Sequence, residues 1–496
     1  MAAPEDRWTD HVNAVATGRL VRLMGTWSSE PGSLKDNLAE VLRRLIDEGQ
    51  LPPLTRLPSE RALARALAVS RTTVMGAYDE LKAEGYLSST QGSGTWVDAR
   101  QPRRPGVDGG GQPFPWLHRL ESAEPESGSI GMVDLSAVAL PALDLVQEVM
   151  ASVTTEEWQA LLSVPGYLPL GLPMLRTAIA EYVSDQGMET SPEQIIVTTG
   201  AQQAISLVAS LWLEPGDTVA IEDPTYAGAL PVLRSAGARI VPVEVDRDGI
   251  RTELLEELLT RERVDLIYVN PTIHNPTGSV LSVARRQRLA ALVEECRALL
   301  VECEVLHDLS FADAPAPASI ASLNEDSSVV TIGSMSGLFW SGLRIGWLRG
   351  PEHLVARLGL SKATTDLGTP LIDQLVAARL LAHVDGARAA RRQSLTAGLE
   401  SVVRLLGEHL PEWSWVRPAG GPSLWVRIHE GEAGEFAQVA ARHGVLILPG
   451  PVFSVKERWG DRLRLPFVLP EPFLTMGIER LAEAWNEYRN RAPRSL

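Results

Sequence analysis

The sequence is poor in cysteine and lysine and has no long apolar run. Its 496 residues include only two cysteines, Cys296 and Cys303, and four lysines. Two cysteines are too few for a disulfide framework or a four-cysteine metal site. No stretch of about 18 uninterrupted apolar residues could span a bilayer. These absences exclude a small disulfide-bonded scaffold and an integral membrane protein.

Positive charge is also in deficit, since 46 Lys and Arg face 62 Asp and Glu for a net charge of −16. This balance argues against a protein that coats nucleic acid all round, but it leaves room for a local basic face. The first thirty residues carry several acidic residues and lack a basic start followed by an apolar block, so no secretory signal is expected. The expected compartment is the cytoplasm.

Length and the positions of Gly and Pro predict several domains. At roughly 150 residues per domain, the chain is long enough for more than one. Residues 99–131 are interpreted as a linker, because the Gly-Gly-Gly centre and prolines cannot continue a helix or a central strand. We expect an N-terminal extension (1–33), a compact unit (34–98), the linker and a large domain (132–490) with a smaller subdomain (386–490).

Strand-like runs alternate with amphipathic helical stretches after the linker. The runs are IIVTT, TVAIE, DLIYVN, LLVEC and VVTIGS, which begin at residues 195, 218, 265, 299 and 329. This alternation is typical of a parallel sheet with crossover helices and predicts an α/β domain. LWVRI and VLILPG predict the strands of a smaller α/β subdomain.

Residues 34–98 have the pattern of three helices and a hairpin. The three helical segments are LKDNLAEVLRRLIDEG, SERALARALA and VSRTTVMGAYDELKAEGYL. Ser70 is the predicted N-cap of the third helix, whose first turn is polar. Arg71, Thr72 and Thr73 therefore project from a helix N-terminus, where they can meet phosphates and base edges in a major groove. YLSSTQGSGTWV predicts a wing with a Gly-rich turn, which can approach a DNA backbone closely.

Charge is segregated within this unit. Between residues 56 and 73, four arginines face a single acid, Glu60, while acidic residues gather at the far end of the third helix. A three-helix protein-interaction module is the alternative interpretation. The motifs RLPSERALA, VSRTTV and GSGTWV, however, resemble the winged helix-turn-helix domain of GntR-type bacterial transcription regulators from Gly32 to Val97. The resemblance implies six DNA-contacting residues: Arg56, Arg61, Arg71, Thr72, Thr73 and Gly92.

The segment IIVTTGAQQAISLVASLWL predicts a strand, a tight Gly turn and a helix whose first amides form an anion site. Alone this signal is weak, because many such turns hold no ligand. EDPTYAG, NPTIHNPTG and GSMSGLFWSGLRIGW come at successive strand ends, where open α/β sheets gather their binding residues. With GYLPLGLPMLRTAIAEY and LRLPF, they resemble class I and II aminotransferases over residues 133–490. A winged helix joined to that fold is the architecture of the MocR subfamily of GntR regulators.

The resemblance implies a pocket of the kind that binds pyridoxal 5′-phosphate. At its phosphate end, the amides of Gly200, Ala201 and Gln202 would bind the phosphate and Arg344 would pair with it. Tyr167 would reach the phosphate in the neighbouring subunit, which implies a homodimer.

At the ring end, the resemblance gives Tyr226 the role of stacking on the pyridine ring and Asn275 that of bonding its phenolic oxygen. Arg464 would hold a carboxylate of a substrate or effector bidentately. Ser334 falls in register with the family motif and belongs to the same implied pocket.

Three positions depart from the family pattern. The family's lysine, which forms the Schiff base with the cofactor, is replaced by Gly337, and no lysine lies between 332 and 350. The family's aspartate at the pyridine nitrogen is Cys303, and its tyrosine three residues on is Leu306. A neutral thiol cannot stabilise a pyridinium as a buried carboxylate does. Lys362 lies in a later helix, and we do not expect it to substitute.

Three other features are less informative. Glu302 and Glu304 flank Cys303 but should point away from it by strand alternation, toward solvent or a local arginine. Cys296, Cys303 and His307 lack the spacing of a closed zinc site, so no metal is expected. His274 either lines the pocket or is an ordinary loop histidine.

These observations favour a MocR-type transcription regulator, predicted to be catalytically inactive, with a degenerate aminotransferase-like domain. The expected partners are a double-stranded DNA operator, a second copy of the chain and a small anionic effector, with no membrane. We expect no covalent pyridoxal phosphate, although weak noncovalent binding of it or of another anion stays open. One alternative is an active pyridoxal-phosphate-dependent aminotransferase fused to a DNA-binding domain. A further alternative keeps the large domain as a dimerising scaffold without a ligand.

Overall fold

The computed structural model describes residues 14–25, 27–29, 32–90, 94–98, 132–313, 316–324 and 328–491. The predicted linker (99–131) lies outside these ranges. Contacts divide the chain into two compact units: the first joins residues 1–134, 430–447 and 479–496, and the second joins 135–429 and 448–478. Within the described ranges, no helix is both long and apolar enough to cross a membrane.

The N-terminal part of the first unit consists of helices and a two-stranded hairpin. Its elements are α1 (Thr17–Met24), α2 (Leu34–Asp47), α3 (Glu60–Ala66), α4 (Arg71–Ala83), β1 (Leu87–Thr90) and β2 (Gly94–Val97). Ser33, Ser59 and Ser70 are the N-caps of α2, α3 and α4, and each side chain accepts a hydrogen bond from a backbone amide in the first turn. β1 and β2 pair antiparallel, as expected for a wing.

Helix α1 was not predicted from the sequence. Its residues Leu20 and Met24, with Trp27 beyond it, are buried in the same apolar core as α2, α3 and α4. Ala14 bridges to Arg56, so the chain before α2 is tied to the segment between α2 and α3. The spacing of Leu20, Met24 and Trp27 is helical, and this was the available signal.

The second unit contains an eight-stranded sheet in the order β4-β11-β10-β9-β8-β5-β6-β7. The strands are β4 (Ile195–Thr198), β5 (Thr218–Asp223), β6 (Arg239–Asp246), β7 (Gly249–Ile250), β8 (Leu266–Val269), β9 (Leu299–Cys303), β10 (Val329–Ser334) and β11 (Gly346–Arg349). All five strands expected from the sequence are present. The sheet is mixed rather than parallel, because β11 runs antiparallel to both β10 and β4.

Both faces of this sheet are covered. Neighbouring residues such as Ile196 and Val197, or Leu266 and Ile267, belong to two different apolar clusters because successive side chains point to opposite faces. The helices from here to the smaller sheet are α5 (Asp144–Ala151), α6 (Thr155–Leu162), α7 (Pro173–Asp185), α8 (Ala201–Trp212), α9 (Ala229–Ser235), α10 (Thr252–Arg261), α11 (Val283–Cys296), α12 (Glu352–Thr365), α13 (Leu371–Leu380) and α14 (Val384–His409).

A five-stranded sheet has the order β12-β13-β15-β14-β3. Its strands are β3 (Val133–Leu135), β12 (Ser414–Trp415), β13 (Ser423–Arg427), β14 (Val445–Pro449) and β15 (Arg462–Pro466). The expected strands LWVRI and VLILPG are β13 and β14. Helices α15 (Ala433–Arg442) and α16 (Glu471–Arg491) complete the described chain.

Candidate DNA-binding surface and candidate effector pocket

The N-terminus of α4 presents the residues predicted to read DNA. The Arg71 side chain is 70% exposed and forms an ion pair of 3.0 Å with Glu60. The Thr72 and Thr73 hydroxyls lie 2.7 and 2.8 Å from Ser70 Oγ. These polar groups occupy the first turn of a helix, where unpaired amides and the helix dipole favour phosphate.

Arg56 lies along the wing. Its guanidinium is 5.6 Å from the centre of the Trp96 ring. Gly94 has a φ of +109°, and a Cβ there would lie 2.9 Å from Arg56 Nε, so this close approach requires glycine. Arg61 is exposed on α3. Gly92, also predicted to contact DNA, lies outside the described residues.

The acidic far end of α4 is neutralised within the unit. Lys35 Nζ lies 2.7 Å from Glu80, and Arg43 lies 2.8 Å from Glu84. Glu80 and Glu84 therefore pair with basic residues of α2 and do not neutralise the arginines between residues 56 and 71.

The phosphate end of the predicted pocket is formed where β4 turns into α8. Gly200 has a φ of +115° and precedes the first helical amides, of Ala201 and Gln202. Arg344 Nη2 donates to the Thr199 carbonyl at 2.5 Å, which holds the guanidinium beside this helix N-terminus. The structure thus brings four predicted residues together at one helix N-terminus, where backbone amides and a guanidinium favour an anion.

Tyr226 and Gln202 join the ring end to the phosphate end. The Tyr226 hydroxyl donates to Gln202 Oε1 at 3.2 Å, and Gln202 Nε2 donates to the Gly228 carbonyl at 2.8 Å. Burial raises the pKa of Tyr226 to about 12, so the phenol stays neutral at pH 7. Gly228 is required at its position, because a Cβ there would lie 2.4 Å from the Tyr226 ring.

Arg464 is the residue predicted to hold a carboxylate in this pocket. It is buried on β15, where Nη2 donates to the Ser136 carbonyl at 2.7 Å and Nη1 donates to Asn275 Oδ1 at 3.4 Å. Its guanidinium lies 5.0 Å from the centre of the Phe453 ring. These contacts fix the position of a second buried cationic group. Ser334 is buried at the end of β10 and its hydroxyl lies 2.9 Å from that of Ser336.

Gly337 lies against Leu309 and the backbone of Val305. A Cβ at this position would lie 3.4 Å from Leu309 Cδ1 and 3.4 Å from the Val305 carbonyl oxygen, which are ordinary contacts. A larger side chain is thus compatible with the backbone. Lys362 is fully buried, with its ammonium 2.5 and 2.7 Å from the two carboxylate oxygens of Asp366.

Cys303 is buried at the end of β9, and burial raises the pKa of its thiol to about 11. It packs in the same apolar cluster as Tyr226 and Val305. Leu306, predicted as the third departure, lies in the turn that follows β9.

The two glutamates beside Cys303 are not exposed, so the solvent interpretation is wrong for both. Glu302 is fully buried and accepts hydrogen bonds from the Ile320 amide at 2.8 Å and the Thr331 hydroxyl at 2.7 Å. Glu304 faces the expected local arginine, since Arg286 lies 3.6 Å away. Burial dominates because the chain curls over this face and supplies backbone donors.

His274 is buried in an internal network. Its Nδ1 lies 2.8 Å from the Thr277 hydroxyl and its Nε2 lies 3.4 Å from Glu222. Among the residues that the structure describes, no group of three or more His, Cys, Asp or Glu is placed to hold a metal ion.

The family comparisons identify both parts of the chain. The model for bacterial regulatory proteins of the gntR family matches residues 34–97, and the model for aminotransferase class I and II matches residues 135–481. Together they define a winged-helix regulator fused to an aminotransferase-type domain.

Two relatives identify the subfamily within this class of regulators. The chain is 33% identical to the probable rhizopine catabolism regulatory protein MocR of Rhizobium meliloti, over 76% of this chain and 78% of that protein. It is 30% identical to the regulator TauR of Rhodobacter capsulatus, over 91% and 96% of the two chains. The chain belongs to the MocR-type subfamily of GntR transcription regulators.

A solved structure supports the fold of the large domain. Thermus thermophilus α-aminoadipate aminotransferase, complexed with N-(5′-phosphopyridoxyl)-L-leucine, superposes with a TM-score of 0.67 at 27% identity, over 76% of this chain and 97% of that one. Relatives of this fold therefore bind pyridoxal phosphate. In the present chain, the phosphate-binding end fits such a group, whereas Gly337 and Cys303 do not fit its covalent attachment or a protonated ring nitrogen.

Proposed function

We propose that this MocR-type regulator binds DNA through α3, α4 and the wing and uses its aminotransferase-type domain as a noncatalytic sensor of a small anionic molecule. The observation that carries the proposal is Gly337, whose neighbours are Leu309 and a backbone carbonyl. Transamination requires an amine that attaches the cofactor and moves a proton at the substrate α-carbon. Lys362 cannot take that role while Asp366 holds it.

The ligand class follows from the groups that remain. Arg344 and the first amides of α8 offer one site for an anion, and Arg464 offers another. The middle of the pocket carries a neutral thiol and a neutral phenol, since burial raises the pKa of Cys303 and of Tyr226. A phosphorylated or dicarboxylate metabolite, bound without a covalent bond, suits this arrangement best.

A homodimer is part of the proposal. Tyr167 is 69% exposed, as expected for a side chain that serves a partner's pocket. The segment around it adjoins α12 and α13, because a Cβ at Gly359 would lie 2.6 Å from Leu170 Cδ2 and Leu172 N donates to Gln374 at 2.6 Å. Six apolar side chains in these elements or just before them are exposed: Leu162, Val164, Met174, Leu360, Leu367 and Ile372. We infer that they contribute to the dimer interface, because contiguous exposed apolar side chains are typical of one.

The decisive experiment is a trapping assay on the full-length protein. Purified protein is incubated with pyridoxal 5′-phosphate, reduced with borohydride and mapped by peptide mass spectrometry. We expect no lysine adduct and no visible absorption band that survives gel filtration. Gly337→Lys is the matched positive control, because its backbone position accepts a side chain. An adduct on Lys362 in the wild type would refute the noncatalytic assignment.

The melting temperature distinguishes a ligand-binding domain from the alternative, a dimerising scaffold without a ligand. A specific ligand of the native state raises the melting temperature, whereas a domain that only dimerises gives no shift with any ligand. We expect stabilisation by at least one phosphorylated or dicarboxylate metabolite, and the loss of that shift in an Arg344→Ala, Arg464→Ala variant.

A further inference from the structure

Helix α15 lies against the DNA-reading helices within the first compact unit. Arg442, at its C-terminal end, donates to the carbonyls of Leu67 and Ala68 at 3.2 and 3.1 Å. These carbonyls end α3 and begin the turn that leads into α4. Trp27 Nε1 donates to Gln438 at 3.3 Å, one turn earlier on α15. The helix-turn-helix motif is therefore held from the side by a helix far along the sequence.

A third contact uses one of the arginines in the basic segment. Arg65 Nε lies 3.1 Å from Glu435 Oε1. Arg65 is four residues after Arg61 on α3, so the two side chains share one side of that helix. While Glu435 holds it, the Arg65 charge is not available to a phosphate, and the carboxylate itself repels DNA. We call these three contacts the latch: Trp27 with Gln438, Arg65 with Glu435, and Arg442 with Leu67 and Ala68.

The contributions to the latch are unequal. The Arg65 side chain is 78% exposed, and an exposed ion pair contributes little to stability. Arg442 is partly buried and makes two hydrogen bonds from a charged group to the C-terminus of a helix, where the dipole favours a cation. Arg442 therefore holds the latch closed, and Glu435 changes what the closed latch presents to DNA.

We propose that α15 is an intramolecular brake on DNA binding. The closed latch withholds Arg65 and places the Glu435 carboxylate among the basic residues of α3. Opening the latch returns Arg65 to the phosphate-binding face. The proposal concerns how DNA binding is limited, and it does not depend on which ligand the aminotransferase-type domain senses.

The sharpest test is Arg442→Ala, because a lost cation ordinarily weakens DNA binding. The brake predicts the opposite: affinity for a short mixed-sequence duplex should rise about fivefold. Arg489→Ala is the matched control, since Arg489 pairs with Glu430 at 3.2 Å in the same unit and is no part of the latch. Affinity of Arg442→Ala equal to or below that of the control would overturn the proposal.

A second test measures the number of phosphate contacts. In Glu435→Gln, the slope of log affinity against log salt concentration should steepen by about one, because Arg65 gains a phosphate. Glu430→Gln makes the same charge change outside the latch and should leave the slope unchanged. Equal slopes in the two variants would overturn the proposal. If Arg442→Ala does not fold, the Glu435→Gln result alone tests the proposal. This substitution keeps the size of the side chain, and its partner Arg65 is 78% exposed.

Discussion

The predicted DNA-binding helices and the candidate effector pocket depend on their residues in different ways. The first turn of α4 carries three consecutive polar residues, Arg71, Thr72 and Thr73, on a helix capped by Ser70. Consecutive residues of one short segment therefore form this part of the predicted DNA-binding surface. The candidate pocket is assembled from the ends of separate strands. It retains the groups predicted to bind an anion, whereas Gly337 and Cys303 stand where the family is expected to have reactive groups. Anion binding needs only fixed charge and amides, whereas transamination needs several groups to act together.

The largest expected effect comes from restoring the missing groups. Gly337→Lys should attach pyridoxal phosphate but give negligible turnover, because Cys303 leaves the ring nitrogen without a carboxylate. Adding Cys303→Asp and Leu306→Tyr should raise half-transamination by roughly 10²-fold or more.

Absorbance changes with an amino-acid donor measure this reaction. Cys303→Asp without the new lysine is the control and should stay inactive. Sustained turnover by Gly337→Lys alone would show that the other two replacements matter less than we infer, and the contrast between the two regions would weaken.

Removing both anion-binding arginines should have the next largest effect. Each charged hydrogen bond contributes about 1.5–3 kcal/mol, so Arg344→Ala combined with Arg464→Ala should weaken binding of phosphorylated metabolites by more than about tenfold. Calorimetric titration measures the dissociation constant of these metabolites. Arg247→Ala removes an arginine that is 86% exposed in the same unit and should leave binding unchanged. Wild-type affinity in the double variant would mean that both arginines are structural.

Arg71→Ala tests the other side of the comparison. Loss of a contact at the recognition helix should cost about 1–3 kcal/mol of DNA binding and leave folding intact, because the side chain is exposed. Glu60→Gln should act in the opposite direction, since Glu60 holds Arg71 in the free protein. Electrophoretic or fluorescence titration at fixed salt measures both. Unchanged affinity in Arg71→Ala would contradict the assignment of α4.

The smallest expected effect is a pH dependence of stability. Burial, and then the neighbouring Glu304, raises the pKa of Glu302 from 4.5 to about 7. Between these values the folded state holds a proton that the unfolded state has lost, so this group makes stability fall as pH rises from about 4.5 to about 7. Thermal unfolding across that range measures it. Glu302→Gln should flatten the fall, whereas the exposed Glu148→Gln should not. A Glu302→Gln profile with the same pH dependence as the wild type would contradict the assignment.

The sequence predicted the second unit's central strands because they are short, apolar and bounded by turns. It missed β11, whose four residues form no distinct run, and so it missed that the sheet is mixed. It also missed α1, because this helix has only eight residues and buries only Leu20 and Met24, which is a short apolar pattern. The motif residues Gly200, Arg344, Tyr226 and Arg464 could be named from the sequence, but the hydrogen bonds that hold them could not.

What the sequence determined by itself is local. Caps, helical periodicity and the Gly turn before α8 depend on neighbouring residues, and the motifs with Gly337 in place of lysine identify the family and its departure from it. Only the tertiary structure decided that Lys362 is held by Asp366, that Glu302 is buried, and that Arg442 reaches the end of α3. Each of these depends on which distant segments pack together. Side-chain burial and long-range hydrogen bonds arise from that packing and have no signature in the order of residues nearby.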